Sequence, residues 1–265
     1  MNTAEKMQTL KEIITSKGSM LISFSGGVDS SLLAVLAKEA LAGNSRCVLL
    51  DSPVVPRAAV AGALQIAEEF SLRLEIIPVH VMDDERFQKN PAERCYWCKK
   101  KSAKVLKGRK EALHYACIAD GINVSDEGEH RPGLMASTEE GIIHPFLEAG
   151  ITKADIREIA QACGLQFWNK PSAACLSSRI PYGDEITHKK LTMIEEAETF
   201  LNTRGFNQCR VRMHGDIARI EVMDDDMQKL LDNREDLVKT LRSIGFSYIS
   251  LDLTGYRSGS MDEVL

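Results

Sequence analysis

A run of glycine and hydroxyl residues near the start of the chain, Ser25-Gly26-Gly27-Val28-Asp29-Ser30-Ser31, has the composition of an anion-binding loop. Its two glycines allow backbone N–H groups to approach an anion closely, and a helix that begins here would attract negative charge. Ser25, Ser30 and Ser31 add hydroxyl donors. The chain has no G-x-x-x-x-G-K-[ST] pattern, so the lysine of a Walker loop is absent. The run predicts a loop that holds a leaving pyrophosphate, and a plain strand-to-helix turn is the alternative.

Three cysteines form the second group that could do chemistry. Cys95 and Cys98 make a C-x-x-C pair, and Cys175 follows much later in the chain. Two cysteines at this spacing can reach one metal centre, and three thiolates leave one site open on a four-iron cluster. Zinc would ask for a fourth ligand, for which His80 and His114 are candidates. The pattern favours an iron–sulfur cluster, with zinc and a redox-active dithiol as alternatives.

Alternating strand and helix patterns predict the scaffold that positions these residues. Apolar runs separated by segments with helical spacing predict strands at Met20–Phe24, Cys47–Leu50, Leu74–Val79 and Ala116–Ala119. This alternation indicates an α/β fold with a parallel sheet covered by helices on both faces, and such sheets bind ligands at the carboxyl ends of their strands. A further helix is predicted over Ile151–Cys163, with Thr152 and Asp155 as a relaxed capping box.

The last part of the chain predicts a smaller α+β domain. Its elements are a helix over Thr187–Leu201, strands over Arg210–Met213 and Ala218–Val222, one long helix over Asp224–Ile244 and a strand over Tyr248–Leu253. An irregular stretch with two prolines, Asn169–Gly183, precedes these elements. The sequence therefore predicts one domain over residues 1–183 and a substrate-binding or oligomerisation domain over 184–265.

Composition limits the classes of function. The 265 residues are 44% hydrophobic and 27% charged, as in ordinary globular proteins, and the net charge is −5. The chain lacks the basic balance typical of nucleic-acid binders, and no apolar run approaches the roughly 20 residues that span a bilayer. We therefore expect a cytoplasmic protein with neither a membrane nor a nucleic-acid partner. Seven cysteines without an export signal favour thiols or metal ligands over disulfides. Cys47, Cys117 and Cys163 lie in apolar segments and are predicted to be core residues.

The S-G-G-x-D-S run resembles the loop of the PP-loop ATP pyrophosphatases, the adenine nucleotide alpha hydrolase-like enzymes that include GMP synthetase, asparagine synthetase and the tRNA thiolases. The resemblance implies that ATP, with Mg²⁺, is cleaved between its α- and β-phosphates while AMP is attached to a substrate oxygen. It implies that ATP is bound by Ser25, Gly26, Gly27, Asp29, Ser30 and Ser52. Asp29 is the candidate metal-facing acid among them.

Nearly the full length of the chain is similar to the LarE family, ATP-dependent sulfur transferases of nickel-pincer nucleotide cofactor biosynthesis. The matching blocks after the loop include Asp120-Gly121, Arg131–Gly133, Trp168–Lys170, Cys175–Arg179, Arg210–Arg212, His214–Glu221 and Gly255–Gly259. The resemblance implies that a carboxylate of pyridinium-3,5-biscarboxylate mononucleotide is adenylated and then converted to a thiocarboxylate. It further implies an external sulfide donor, other cofactor-maturation enzymes as partners, and assembly into homo-oligomers.

The same resemblance assigns the cysteines. In single-cysteine members of the family, the cysteine that matches Cys175 gives up its own sulfur and becomes dehydroalanine. This chain is similar instead to the three-cysteine members, in which a [4Fe-4S] cluster is held by thiolates that match Cys95, Cys98 and Cys175. We therefore expect catalytic rather than sacrificial use of Cys175. Trp97 is a candidate to stack on an aromatic ring of a ligand or to be a core residue.

The resemblance also assigns substrate contacts in the last third of the chain. It implies that Ser178, Arg179, Arg210 and Arg212 bind the substrate. The last two alternate along a predicted strand, which places both guanidinium groups on one face, suited to a phosphate. Glu198 and Glu221 match acidic positions around a divalent ion. The rival interpretations are a tRNA 2-thiolation enzyme, which also combines such a loop with cysteines, and a zinc- or cluster-binding module without catalysis.

Overall fold

A computed structural model describes residues 3–126, 132–171, 174–257, 259–261 and 263. The chain divides into two compact units. The first contains Met1–Val81 and Glu93–Ala173, and the second contains Met82–Ala92 and Ala174–Leu265. Arg131 and Ser258, which belong to two of the matching sequence blocks, lie outside the described residues.

The helices occupy most of the predicted helical segments. Within the described ranges they are α1 (Thr3–Ser16), α2 (Val28–Ala40), α3 (Arg57–Glu69), α4 (Glu85–Gln88), α5 (Arg94–Ala112), α6 (Pro132–Glu139), α7 (Pro145–Glu148), α8 (Lys153–Ala162), α9 (His188–Thr203), α10 (Met227–Asp232) and α11 (Arg234–Ile244). The expected capping box forms at the start of α8, where the Thr152 and Asp155 side chains bond to each other's backbone N–H groups. No helix in these ranges has the length and apolar character needed to cross a bilayer.

The first unit is built on the predicted parallel sheet. Its strands are β1 (Met20–Ser23), β2 (Ser45–Asp51), β3 (Leu74–Pro78) and β4 (Cys117–Ala119), in the order β3-β2-β1-β4. All neighbouring pairs in that order are parallel. Successive residues of β1 point to opposite faces, because Met20 and Ile22 pack in one core cluster and Leu21 in another. The α/β fold with helices on both faces of the sheet is thereby confirmed.

The second unit contains the small sheet predicted near the end of the chain. Strands β5 (Cys209–His214) and β6 (Ile217–Val222) are antiparallel, and β7 (Tyr248–Leu251) lies parallel to β6. The single long helix expected over 224–244 is wrong, since a short 3-10 turn is followed by α10 and α11. Asn233 separates these two helices and donates its side-chain amide to the Lys229 carbonyl at 2.7 Å. A side chain that bonds the backbone in this way competes with continued helix.

The division between the units differs from the boundary expected after residue 183. The segment before that residue belongs to the second unit together with 82–92. Its attachment is polar, because Asn90 donates its side-chain amide to the Ile180 and Pro181 carbonyls at 3.2 and 2.7 Å. The Gly183 N–H donates in turn to the Asn90 carbonyl at 2.9 Å. Proline and glycine content, from which the boundary after residue 183 is predicted, gives no information about such hydrogen bonds.

Three of the four cysteines outside the predicted site have different environments. Cys47 and Cys209 are buried, and burial raises the pKa of each thiol to about 12. Both are therefore protonated at neutral pH and poor metal ligands. The prediction that Cys163 is a core residue is wrong, because it follows the last turn of α8 and is exposed. An apolar sequence neighbourhood does not fix which face of a helix end a side chain takes.

Candidate active site

The predicted phosphate loop joins β1 to α2. Gly27 precedes the first residue of α2 in an extended conformation, which leaves N–H groups of the first turn outside the helical hydrogen bonding. Gly26 has a φ of +68°, and a Cβ added there would lie 2.5 Å from the Cβ of Ala63 on α3. Glycine is therefore required at this position for conformation and for space. The result is an open stretch of backbone at the N-terminus of a helix.

Two of the loop serines form a network of hydrogen bonds across the loop. The Ser25 and Ser30 hydroxyls lie 3.1 Å apart, and the Ser25 N–H donates to the Ser30 Oγ at 3.2 Å. Ser30 also donates to the Gly27 carbonyl at 3.3 Å. The buried hydroxyl of Ser31 has no hydrogen-bond partner among the described residues. The structure thus brings Ser25, Gly27 and Ser30 together, with donors suited to phosphate oxygens, and ATP binding by these residues stays a prediction.

Two neighbouring strands end beside this loop. Asp51 is the last residue of β2, and Ser52 after it is buried. Arg57 donates to the Asp51 carboxylate at 2.6 Å and to the Ser52 carbonyl at 3.0 Å. A Cβ on Gly121, which closely follows β4, would lie 2.8 Å from the Ser30 nitrogen. The carboxyl edge of the sheet therefore gathers all three segments, although ATP binding by Ser52 remains a prediction.

A lysine that the sequence analysis did not single out for the site reaches the loop. Lys170, which follows a 3-10 turn at Gln166–Asn169, donates its Nζ to the Gly26 carbonyl at 2.9 Å. A Cβ on Gly62 of α3 would meet the same Nζ at 2.9 Å, so the helix leaves space for it. Burial lowers the pKa of the Lys170 ammonium below its usual range. The loop therefore has a cation, supplied from elsewhere in the chain rather than from within a Walker sequence.

Replacing Lys170 by methionine should weaken ATP binding about 10- to 100-fold, because a hydrogen bond from a charged donor contributes about 1.5–3 kcal/mol. The measurement is the dependence of pyrophosphate release on ATP concentration. Lys38→Met is the matched control, since Lys38 also donates to a backbone carbonyl, that of Phe70 at 2.8 Å, near the opposite end of α2. An unchanged KM for ATP in Lys170→Met would contradict the role of this lysine.

Asp29 lies in the first turn of α2 and is ion-paired with Lys153 on α8. Burial raises the pKa of Asp29, and the Lys153 ammonium only partly offsets that rise. The carboxylate would have to exchange this lysine for Mg²⁺ in order to face a metal ion. Its assignment as the metal-facing acid therefore remains a prediction.

Behind the loop, Asp120 connects β4 to two helices. Its carboxylate lies 2.7 Å from the His144 Nδ1 and 3.4 Å from the Lys99 Nζ on α5. Burial alone would raise the Asp120 pKa, but Lys99 and His144 outweigh it and lower the pKa below its ordinary value. The His144 Nε2 lies 3.1 Å from the Thr138 hydroxyl on α6. Asp120 thus links the helix of the cysteine pair to the strand beside the loop.

Cys95 and Cys98 lie near the start of α5. Three residues apart on a helix, they lie on the same face. Cys95 is exposed and Cys98 is half-buried, so both side chains reach the surface of the first unit. This arrangement fits two ligands of one iron–sulfur cluster. Trp97 between them packs its ring edge-to-face on Tyr96, with centroids 5.1 Å apart.

The zinc alternative finds no support in these positions. His114 follows the far end of α5, roughly 20 Å along the helix from Cys98. The His80 carbonyl accepts a hydrogen bond from Lys101, and its side chain joins no metal-binding group of described residues. Within the part of the chain that the structure describes, no three His, Cys, Asp or Glu side chains are arranged to hold a metal ion.

In the second unit, Cys175 precedes a 3-10 turn at Leu176–Arg179. Its Sγ lies 2.8 Å from the buried Ser177 hydroxyl. Its carbonyl accepts hydrogen bonds from the Ser178 hydroxyl at 2.8 Å and from the Arg179 Nη1 at 2.9 Å. Cys175, the third predicted cluster ligand, is therefore fixed through both its thiol and its main chain.

The two predicted phosphate-binding arginines extend from β5. Arg212 is buried, and donates to Glu221 at 2.8 Å and to the Ser178 carbonyl at 3.1 Å. Its Nε has no hydrogen-bond partner among the described residues. The Arg210 guanidinium lies over the Tyr256 ring at 5.1 Å, and burial, with Arg179 nearby, lowers its pKa. The Nε of Arg212 and the positive charge of the two guanidinium groups suit an anion, and phosphate binding here stays a prediction.

The predicted divalent-ion site does not fit the geometry of its two glutamates. Glu198 accepts from Arg179 and from the Val211 N–H, so both of its oxygens are used. Glu221 accepts from two arginines and from a serine hydroxyl. A cation would have to displace guanidinium groups from both carboxylates. We therefore derive no chemistry through a metal ion at this position.

Comparison with known proteins places the chain in a family. The NAD synthase family model matches residues 3–117. An uncharacterised protein of Synechocystis sp. is 37% identical over 262 residues, 98% of each chain. The pyridinium-3,5-bisthiocarboxylic acid mononucleotide synthase of Lactiplantibacillus plantarum is 34% identical over 263 residues, 99% of this chain and 95% of that protein. A glutamine-hydrolysing GMP synthase polypeptide of Thermoplasma acidophilum is 26% identical over 215 residues, 74% of this chain and 68% of that protein. The similarity to the mononucleotide synthase covers nearly the whole of both chains at more than 30% identity, and the chain therefore belongs to the LarE family of PP-loop ATP pyrophosphatases.

Proposed function

We propose that this protein is an ATP-dependent sulfur transferase that converts a carboxylate of pyridinium-3,5-biscarboxylate mononucleotide to a thiocarboxylate. The observation that carries the proposal is the open loop at Gly26–Ser30 in a chain that aligns almost end to end with the Lactiplantibacillus plantarum synthase. The proposed ligands are ATP with Mg²⁺ and a small nucleotide substrate.

The first step is the activation of a carboxylate. A carboxylate oxygen of the substrate forms a bond to the α-phosphorus of ATP, the bond between the α-phosphorus and the bridging oxygen breaks, and pyrophosphate leaves. The backbone N–H groups of the loop and the Ser25 and Ser30 hydroxyls would bind the departing phosphates, with Lys170 as the neighbouring cation. The step is needed because a carboxylate oxygen is a poor leaving group and AMP is a good one.

The second step replaces the activated oxygen. A sulfur nucleophile forms a bond to the acyl carbon, the bond from that carbon to the AMP oxygen breaks, and AMP leaves with the electron pair. Cys175, which we propose to be needed for this step, is held by Ser177, Ser178 and Arg179. Arg210 and Arg212 would hold the substrate phosphate through their positive charge and through the Nε of Arg212.

We assign the source of sulfur to a [4Fe-4S] cluster held by Cys95, Cys98 and Cys175. When bound, such a cluster supplies sulfide, which an external donor replenishes. The assignment is supported by the two thiols on one face at the start of α5 and by the resemblance of the chain to the three-cysteine members of the family, in which Cys175 matches the third ligand. The use of Cys175 is then catalytic, and the protein turns over repeatedly.

Anaerobic purification followed by iron and labile-sulfide assays tests the cluster. We expect about four of each per chain in the wild type, and loss of most of both in Cys95→Ala. Cys163→Ala is the matched control, because Cys163 is also exposed and lies in no predicted site. An iron-free wild type that still forms thiocarboxylate while Cys175 becomes dehydroalanine would establish the sacrificial route instead.

The reaction itself is tested by incubating the protein with ATP, Mg²⁺ and the mononucleotide substrate. We expect thiocarboxylate to be detected by mass spectrometry and pyrophosphate to appear with it. A tRNA 2-thiolation enzyme would instead bind tRNA on a filter, less tightly at high salt than at low salt. A module without catalysis would release no pyrophosphate under any of these conditions.

A further inference from the structure

Glu198 makes a bidentate ion pair with a buried arginine. From α9, its two carboxylate oxygens accept from the Nε and the Nη2 of Arg179, each at 2.9 Å. The Arg179 side chain is 2% exposed and that of Glu198 10% exposed. Glu198 Oε1 also accepts from the Val211 N–H on β5 at 3.0 Å. A planar guanidinium that is bonded in this way has a fixed orientation.

That orientation decides what the remaining nitrogen of Arg179 touches. The Nη1 donates to the carbonyls of Ala174 and Cys175, both at 2.9 Å, and to the Ser178 hydroxyl at 3.0 Å. Ser178 donates in turn to the Cys175 carbonyl at 2.8 Å. One edge of the guanidinium is thus hydrogen-bonded to Glu198 and the other edge to the segment that contains Cys175. Through Arg179, Glu198 fixes the main chain of Cys175.

The charges around Glu198 oppose a cation at the same place. Arg179 occupies both carboxylate oxygens, and Arg210 lies close enough to Arg179 for the two guanidinium groups to repel each other. A divalent ion would have to displace Arg179 and would leave the carbonyls of Ala174 and Cys175 without their buried donor. The loss of hydrogen bonds at buried groups is costly, so the arginine is the better occupant.

We propose that Glu198 is a positioning residue that acts through Arg179 to fix the main chain of Cys175, and that it does not bind a divalent cation. The effect of Glu198 on catalysis rests on the sulfur-transfer function proposed above. The structural part of the proposal is independent of that function. Under this proposal, Glu198 affects the rate of the sulfur step, whereas the rate of adenylation depends on the loop between β1 and α2.

The test compares Glu198→Gln with a matched control in both half-reactions. Glu75→Gln is the control, since Glu75 is also a carboxylate that pairs with two arginines, Arg46 and Arg109, but in the first unit. In Glu198→Gln, thiocarboxylate formation should fall at least about 100-fold while pyrophosphate release stays within about threefold. Glu75→Gln should change neither by more than about threefold.

Two measurements do not depend on turnover. Hydrogen exchange of a peptide that spans 174–180 should become at least about tenfold faster in Glu198→Gln and stay unchanged in Glu75→Gln, because freeing Arg179 loosens the bonded turn. Binding of Mn²⁺ alone, followed by electron paramagnetic resonance, should be the same in the wild type and Glu198→Gln. Unchanged exchange over 174–180, or the loss of a Mn²⁺ site in the variant, would overturn the proposal.

A second variant covers the case in which an unpaired buried arginine prevents folding. Arg179→Met combined with Glu198→Met replaces both charges by apolar groups, which buried ion pairs generally tolerate. This double variant should fold and still show fast exchange over 174–180. Slow, wild-type exchange in a folded double variant would contradict the role of the pair. If the wild type makes no thiocarboxylate, the function fails, while the exchange and Mn²⁺ measurements still decide the role of Glu198.

Discussion

Replacing Cys175 by alanine should reduce thiocarboxylate formation to below about one-thousandth of the wild-type rate, while pyrophosphate release from ATP continues. The physical reason is that the two half-reactions use different residues. The serine–glycine loop is needed to activate the carboxylate, and the thiol of Cys175 is needed only in the sulfur step. Adenylated substrate should accumulate in the variant because nothing displaces AMP. Separation of the nucleotides by chromatography, together with a pyrophosphate assay, measures both results in one reaction.

The control for this variant is Cys163→Ala, which removes an exposed thiol at the end of α8 and should leave both half-reactions unchanged. Serine at position 175 is a second useful change, because it keeps a side chain of similar size and can preserve the contact with Ser177 but removes the thiol. Thiocarboxylate formation at the wild-type rate by either Cys175 variant would remove this residue from the sulfur step.

The second large effect should come from the loop itself. In Gly26→Ala the new Cβ would lie 2.5 Å from the Cβ of Ala63, and the φ of +68° would cost about 1–2 kcal/mol more. Relief of the clash moves α3 or the loop, at a cost of about 1–3 kcal/mol. We expect pyrophosphate release to fall about 100-fold, which is measured as the rate at saturating substrate and varied ATP.

Gly18→Ala separates the cost of an unfavourable φ from the cost of the steric clash. Gly18 has a φ of +70°, almost the same as that of Gly26, but a Cβ there would meet nothing within 4 Å. The control therefore carries the conformational penalty without the clash, and should lower thermal stability while leaving pyrophosphate release unchanged. An equal loss of activity in both variants would show that backbone strain, and not the shape of the loop, explains the effect at Gly26.

Much of the first unit could be predicted from sequence because its signals are local. Apolar runs separated by helical spacing defined the strands, and the loop was found from seven consecutive residues, Ser25–Ser31. Lys170 could not be assigned in this way, since its contact with Gly26 joins positions far apart in the chain. Its place in the Trp168–Lys170 block was the only signal, and that signal indicates family membership rather than a contact.

The second unit shows a different limit. The alternation of Arg210 and Arg212 placed both on one strand, as the structure has them. The partners of the glutamates could not be predicted, because the pairing of Glu198 with Arg179 depends on how α9 packs against the Cys175 turn. A resemblance that suggested a metal ion at Glu198 and Glu221 gave no information on which side chains would already occupy their oxygens. Charge pairing inside a core is a property of packing rather than of spacing.

The central claim is that the loop between β1 and α2 holds the pyrophosphate half of ATP while the α-phosphorus is attacked. Phosphorus-31 nuclear magnetic resonance of the complete reaction, with ATP, Mg²⁺ and the mononucleotide substrate, identifies the bond that breaks. We predict AMP and pyrophosphate as the products in the wild type, and their loss in Gly26→Ala but not in Gly18→Ala. The appearance of ADP and inorganic phosphate in their place would contradict the account.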